Sequence, residues 1–258
     1  MPRDIVLIGS GNVATHIAGA VRDRIHTVIS RNYDNAALLA DKIGSCASSS
    51  FNSVADIRPD IILISVADNA VADVVAAVGR LCYGPLVAHT SGSVPKEALS
   101  PISVRTGVLY PLQTFSRHVP VDMKCVPFFT EATDINDYEI LDGLALSISE
   151  IVHHADASKR RRLHIAGVFS SNFTVALLEI TNKVLAESGY PLDTVRPLVE
   201  ATVAKAFRTG PYAAMTGPAV RGDKAVMDLQ SSGLCGIDRK IYDLLSEYII
   251  ETHNVHLK

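Results

Sequence analysis

Apolar residues recur along this chain in two rhythms. Through the first part, short unbroken apolar runs alternate with stretches of helical periodicity. The runs at Ile5–Ile8, Thr27–Ser30, Ile61–Val66, Leu86–His89, Val104–Tyr110, Pro127–Thr130 and Glu150–His153 read as strands. Helical segments fall between them, near Val13–Arg22, Asn35–Ile43, Ala70–Arg80, Pro95–Leu99 and Asn136–Ser149. Strands joined by crossover helices predict a parallel sheet with right-handed connections. A parallel strand covered on both faces should be continuously apolar, and IILISV at Ile61–Val66 nearly is. After about His154 the strands stop. A long helix is expected from a Ser158 cap to Glu187, ended by Ser188-Gly189-Tyr190-Pro191. A second follows from about Asp193 to Arg208, closed by Thr209-Gly210-Pro211, and two more begin at Asp223 and near Asp238. The pattern therefore predicts an α/β chain: a doubly wound parallel sheet over residues 1–155, then an all-helical domain over 156–258.

Composition narrows the class. The chain has 258 residues, 48% apolar and 20% charged, enough for a well-buried core. Its net charge is −3, and the one basic run, Lys159-Arg160-Arg161-Arg162, is too short to suggest a nucleic-acid surface. The N-terminal apolar run is brief, follows Asp4 and meets glycines at once, which is not how a secretory signal reads. The longest apolar segment free of charge, Leu163–Leu178, is too short for a bilayer span and contains Ser170, Ser171, Asn172 and Thr174. No membrane partner is expected, and a buried or subunit-interface helix is. Cys46, Cys82, Cys125 and Cys235 lie far apart without zinc spacing, which suits a reducing cytoplasm. The histidine pairs His153-His154 and His253/His256 are not expected to bind metal.

The first strand runs into Gly9-Ser10-Gly11-Asn12-Val13-Ala14, a GxGxxA loop that opens a helix. In a Rossmann domain the first glycine makes the tight turn and the second lets a pyrophosphate approach the backbone. The small third residue packs helix on strand. The helix N-terminus then offers free N–H groups to the phosphates. Gly9, Ser10, Gly11, Asn12 and Val13 are therefore expected cofactor contacts. An NAD site usually carries an acid after the second strand, where this chain has Ser30-Arg31-Asn32. Guanidinium pairs with phosphate in a bidentate fork, so these three residues point to NADP and its 2′-phosphate. A site for FAD would also want the missing acid.

Six segments in order, GSGNVATHIA from Gly9, ISVADNAV from Ile64, HTSGSVPKEAL from His89, GVLYPLQTFS from Gly107, LHIAGVFSSNF from Leu163 and TGPAVRGD from Thr216, are spread nearly end to end along the chain. Together they resemble the DUF2520 family of Rossmann-like bacterial NADP oxidoreductases. That family sits among the 6-phosphogluconate and 3-hydroxyacid dehydrogenase-like enzymes, near pyrroline-5-carboxylate reductase and ketopantoate reductase. The resemblance implies an N-terminal Rossmann domain and a helical C-terminal domain, like that of 6-phosphogluconate dehydrogenase, that often dimerises. It supplies no substrate.

Ligands of open α/β sheets lie beyond the carboxyl ends of the strands. Val66-Ala67-Asp68-Asn69 and His89-Thr90-Ser91 end two strands there and, by similarity to the related reductases, would border ribose and nicotinamide. Capping of the next helices by Asp68 or Asn69 and by Ser93 is a compatible alternative. Arg160, His164, Gly167 and Ser171 fall on one helical stripe flanked by Asn172. The hydroxyacid dehydrogenases carry a lysine acid and an asparagine on this helix, and the family register puts Arg160 in the basic slot. Arginine stays protonated, so it suits anion binding, whereas His164 suits proton transfer.

The function expected from these residues is hydride transfer between NADP(H) and a small anionic carbonyl, imine or hydroxy compound. His164 would move the proton, Ser171 and Asn172 would orient the reacting group, and Arg160 and Arg221 would hold the negative charge. Tyr110 and Gln113 would line the pocket. The alternative is a non-catalytic NADP-binding sensor or interaction protein. A cytoplasmic homodimer is expected, because the Leu163–Leu178 helix has more apolar circumference than one small domain covers.

Overall fold

In the computed structural model, residues 4–256 are described, with side chains described through His253. The chain divides between Asn172 and Phe173 into two compact units. The first holds an eight-stranded sheet: β1 (Ile5–Ile8), β2 (Ile25–Ile29), β3 (Cys46–Ser48), β4 (Ile61–Ile64), β5 (Leu86–His89), β6 (Thr106–Pro111), β7 (Phe128–Ala132) and β8 (Val152–His154). Their order is β3-β2-β1-β4-β5-β6-β7-β8. The helices of this unit are α1 (Asn12–Ala20), α2 (Tyr33–Ile43), α3 (Ser53–Ile57), α4 (Val71–Val78), α5 (Ile135–Leu146) and α6 (Ala157–Gly167).

Each central strand is apolar on both faces because each face meets helices. Ile5 and Leu7 of β1 join a core with Ile17 of α1, Leu39 of α2 and Leu141 of α5. Val6 and Ile8 point the other way, into a core with Val54 of α3 and Val71, Val74 and Val75 of α4. The two-residue alternation of a strand thus divides one apolar run between two cores.

Two strand expectations change. The edge strand β3 (Cys-Ala-Ser) is too short and polar to be read as a strand, and it forms by pairing with β2 alone. The sheet is not wholly parallel: β7 runs antiparallel to β6, and β8 runs parallel to β7. A parallel neighbour requires a crossover, usually a helix. The link from β6 to β7 offers only one 3-10 turn, Met123–Cys125.

The cap of α6 is Asp156, whose carboxylate accepts the Lys159 N–H at 2.8 Å, rather than Ser158. A π-helical stretch, Val168–Phe173, joins α6 to α7 (Thr174–Glu187). Ala157–Glu187 is therefore one helix of 31 residues, longer than the apolar segment alone suggested. By length and composition it could cross a membrane, although its α6 portion packs in the first unit.

The second unit continues with α8 (Arg196–Thr209), α9 (Pro211–Ala214), α10 (Pro218–Arg221), α11 (Lys224–Ser232) and α12 (Gly236–His256). Asp223 caps α11 through the Val226 N–H at 3.2 Å. Neither α7 nor α8 buries a residue, and Leu198, Phe207, Leu229 and Leu244 stand exposed.

Candidate active site

The sheet reverses its strand order between β1 and β4, and a cleft of about 660 Å³ opens there in the first unit. Its floor is the glycine loop. The Gly9 N–H donates to Ile29 O at 2.8 Å, and the Ser65 N–H donates to Ile8 O at 2.7 Å. The end of β1 is thus wedged between its two neighbours. Gly9 adopts φ +122°, and a Cβ there would lie 2.0 Å from Ser65 O, so only glycine fits.

Gly11 differs, because a Cβ on it would meet nothing within 4 Å. The protein does not need its smallness, but a ligand lying on the backbone would. No side chain caps α1, and its first turn holds no acid, so its N–H groups remain available to phosphate. Ser10 Oγ donates to Ser30 Oγ at 3.1 Å, joining the loop to the end of β2.

Arg31, exposed, follows Ser30 on the cleft wall. Phe51 lines the same wall from a serine turn in which Ser53 Oγ donates to Ser50 O at 2.6 Å. Nothing in the sequence pattern pointed to Phe51 once β3 was missed, although one aromatic in a serine-rich turn is the visible sign. Asn32 does not reach the cleft; its side chain caps α2, accepting the Asn35 N–H at 3.1 Å. These groups fit a 2′-phosphorylated dinucleotide: the N-terminus of α1 would take its pyrophosphate and Arg31 its 2′-phosphate.

At the other end, Val66, Ala67 and Asp68 line the cleft but Asn69 does not. Asp68 accepts the Ser93 hydroxyl, so Ser93 caps no helix. Thr90 and Ser91 are lining residues. His89 is buried behind them, and its Nδ1 accepts the Ser91 N–H at 3.1 Å. Burial and the nearby Arg160 charge lower the His89 pKa to about 4, so the ring is neutral. It holds Ser91 in place rather than forming the cleft wall.

Tyr110, at the end of β6, presents its hydroxyl 3.3 Å from His164 Nδ1 on α6. A Cβ on Gly92 would lie 2.8 Å from Tyr110 Cζ, so that glycine makes room for the ring. Burial, with Asp68 nearby, raises the Tyr110 pKa and keeps the phenol protonated. Gln113 completes this end.

The rest of the helical stripe is placed differently. Arg160 is fully buried, pairs with Glu131 and donates to Ala155 O at 2.9 Å and Val94 O at 3.0 Å. Glu131 also takes Lys96 Nζ at 3.0 Å. Arg160 therefore fastens α6 to the sheet, and the expected anion contact does not fit its position. Gly167 faces Leu112, 3.2 Å from a notional Cβ. Beyond it the π stretch breaks the 3.6-residue spacing, and Ser171 and Asn172 do not line the cleft. Arg221 lies in the second unit, exposed at the end of α10.

This fold and cleft define a Rossmann-type oxidoreductase that uses NADP. Residues 126–249 match DUF2520, described as a domain of unknown function, and residues 4–87 match the coenzyme F420-dependent NADP oxidoreductases. A Bacteroides fragilis protein assigned as an NADP oxidoreductase is 34% identical, with a TM-score of 0.88 over 97% of this chain and 98% of its own. A Thermotoga maritima protein is 21% identical, with a TM-score of 0.78 over 97% and 99%. A reductive aminase from Aspergillus terreus, solved with NADPH and ethyl-5-oxohexanoate, is 14% identical, with a TM-score of 0.74 over 97% and 94%. No curated protein is significantly similar in sequence. The chain belongs to the DUF2520 family of NADP oxidoreductases and is an enzyme of that kind.

Proposed function

We propose that this enzyme reduces a small carbonyl or imine compound with NADPH, and that Tyr110 and His164 handle the proton. The observation that carries the reading is the 3.3 Å contact of the Tyr110 hydroxyl with His164 Nδ1, at the cleft end lined by Thr90, Ser91 and Gly92. Bound dihydronicotinamide supplies the hydride. Tyr110, held protonated, donates from its hydroxyl to the substrate oxygen or nitrogen as that atom gains electron density. His164 stands at the solvent-exposed side of the pair and returns a proton to the phenolate. Solvent then restores His164. The keto ester bound by the Aspergillus reductive aminase agrees with this substrate class.

Arg160 is engaged by Glu131 and takes no part in this reading. The exposed apolar side chains of the second unit support a homodimer, and four unpaired cysteines support the cytoplasm. The experiment is a panel of keto acids, cyclic imines and hydroxy acids read by NADPH absorbance. With the best substrate, Tyr110→Phe should lose kcat by about 10²–10⁴-fold and keep its affinity for NADPH. Unchanged turnover in Tyr110→Phe would remove the phenol from the reaction.

A further inference from the structure

The segment that follows Tyr110 folds back over the glycine loop and sets an arginine against it. Phe115, buried in the core of the first unit, anchors the segment. Asn12 Nδ2 donates to Phe115 O at 2.9 Å, and His16 Nε2 contacts Ser116 O at 3.0 Å. The His16 and Phe115 rings lie 4.9 Å apart. So placed, Arg117 lies beside the cleft rather than in its lining, in a groove along α1 with Thr15 and His16, and donates from Nη2 to the carbonyl of Ser10, the residue between the two glycines.

This is an uneconomical place for a structural arginine. A backbone carbonyl is not a counter-ion, and Arg117 has no carboxylate partner among the described residues. No acid stands in the first turn of α1 to balance it. The half-buried guanidinium keeps further N–H donors beyond the one used on Ser10. Its charge adds to the positive end of α1, where the dinucleotide phosphates belong. We propose that Arg117 is a pyrophosphate-binding residue, supplied to the glycine loop from more than a hundred residues along the chain. One Nη holds the loop in shape while the remaining donors meet a phosphate oxygen. Arg31 would then recognise the 2′-phosphate, and Arg117 the phosphates common to every dinucleotide.

The test uses titration calorimetry of the whole protein with three probes: NADPH, 2′-phospho-ADP-ribose and adenosine 2′-monophosphate, which has no pyrophosphate. Arg117→Ala should weaken the first two about tenfold and leave the third unchanged. Arg31→Ala should weaken all three. Arg117→Gln can keep the bond to Ser10 O without the charge, so it should reproduce the loss with an intact fold, checked by its melting temperature without ligand. Added salt should weaken the parent more than Arg117→Gln. Full affinity of Arg117→Gln for 2′-phospho-ADP-ribose would overturn the proposal and leave Arg117 a loop fastener. Equal weakening of all three probes by Arg117→Gln would overturn it too, by showing a general distortion of the cleft. Failure of Arg31→Ala to affect adenosine 2′-monophosphate would count against the 2′-phosphate site alone.

Discussion

His89 is fully buried, and its pKa falls from 6.5 in an open chain to about 4 in the fold, chiefly through burial and then through Arg160. Between those values the unfolded chain binds the proton and the native one refuses it. The stabilisation from a neutral His89 is therefore complete above pH 6.5 and declines as pH drops toward 4. The gap corresponds to about 3 kcal/mol. Urea unfolding of the parent should show that decline, and His89→Gln should remove His89's share of it. A slope identical in both would assign the acid sensitivity to other groups. At this scale the glycine loop was legible, because its chemistry depends on the backbone of six adjacent residues. Arg160 was not. The stripe read it as an anion contact, and its partner Glu131 lies 29 residues earlier, on a strand whose direction the pattern did not reveal. Arg117 was invisible for the same reason, since its carbonyl partner is 107 residues away.

Among elements, α6 couples most to the site. It carries His164 against Tyr110 and is fastened through Arg160 to Glu131 of β7 and to Val94 O. Replacing Arg160 with Met leaves Glu131 buried with Lys96 alone. Removing one partner of a buried pair costs about 3–5 kcal/mol. Arg160→Met should therefore lower the melting temperature and weaken turnover through displaced His164. A rise in KM with unchanged stability would instead restore the anion-binding role that the stripe suggested. Elements were read well where periodicity and caps agreed, as at α2, α5 and α11. The π stretch was not, because Val168–Phe173 has ordinary helical composition and its wider turn is visible only in the backbone.

At the scale of the whole molecule, the two units have unequal interiors. The first buries two apolar cores against its sheet, whereas α7 and α8 of the second bury nothing. Phe207 is 90% exposed and Leu229 73%. Apolar surface on this scale seeks a partner. Light scattering at tens of micromolar should return twice the mass of one chain, and replacing Phe207 and Leu229 together by Ser should lower that mass. A parent that is a monomer under those conditions would sink the homodimer reading. The division into sheet and helices was legible because the two periodicities differ so sharply. The antiparallel end of the sheet was not, since strand direction leaves no mark on an apolar run.

The stretch from Tyr110 to Arg117 runs from the end of β6 into the connection to β7, the kind of place where chain length ordinarily drifts. Here both ends are pinned, one at the phenol beside His164 and the other at the carbonyl of Ser10. Phe115 pins the middle in the core. The number of residues in between is therefore a dimension of the enzyme. It works like a gauge block, setting how far the Tyr110 phenol stands from the glycine loop, and this loop can exchange side chains far more freely than it can gain or lose a link.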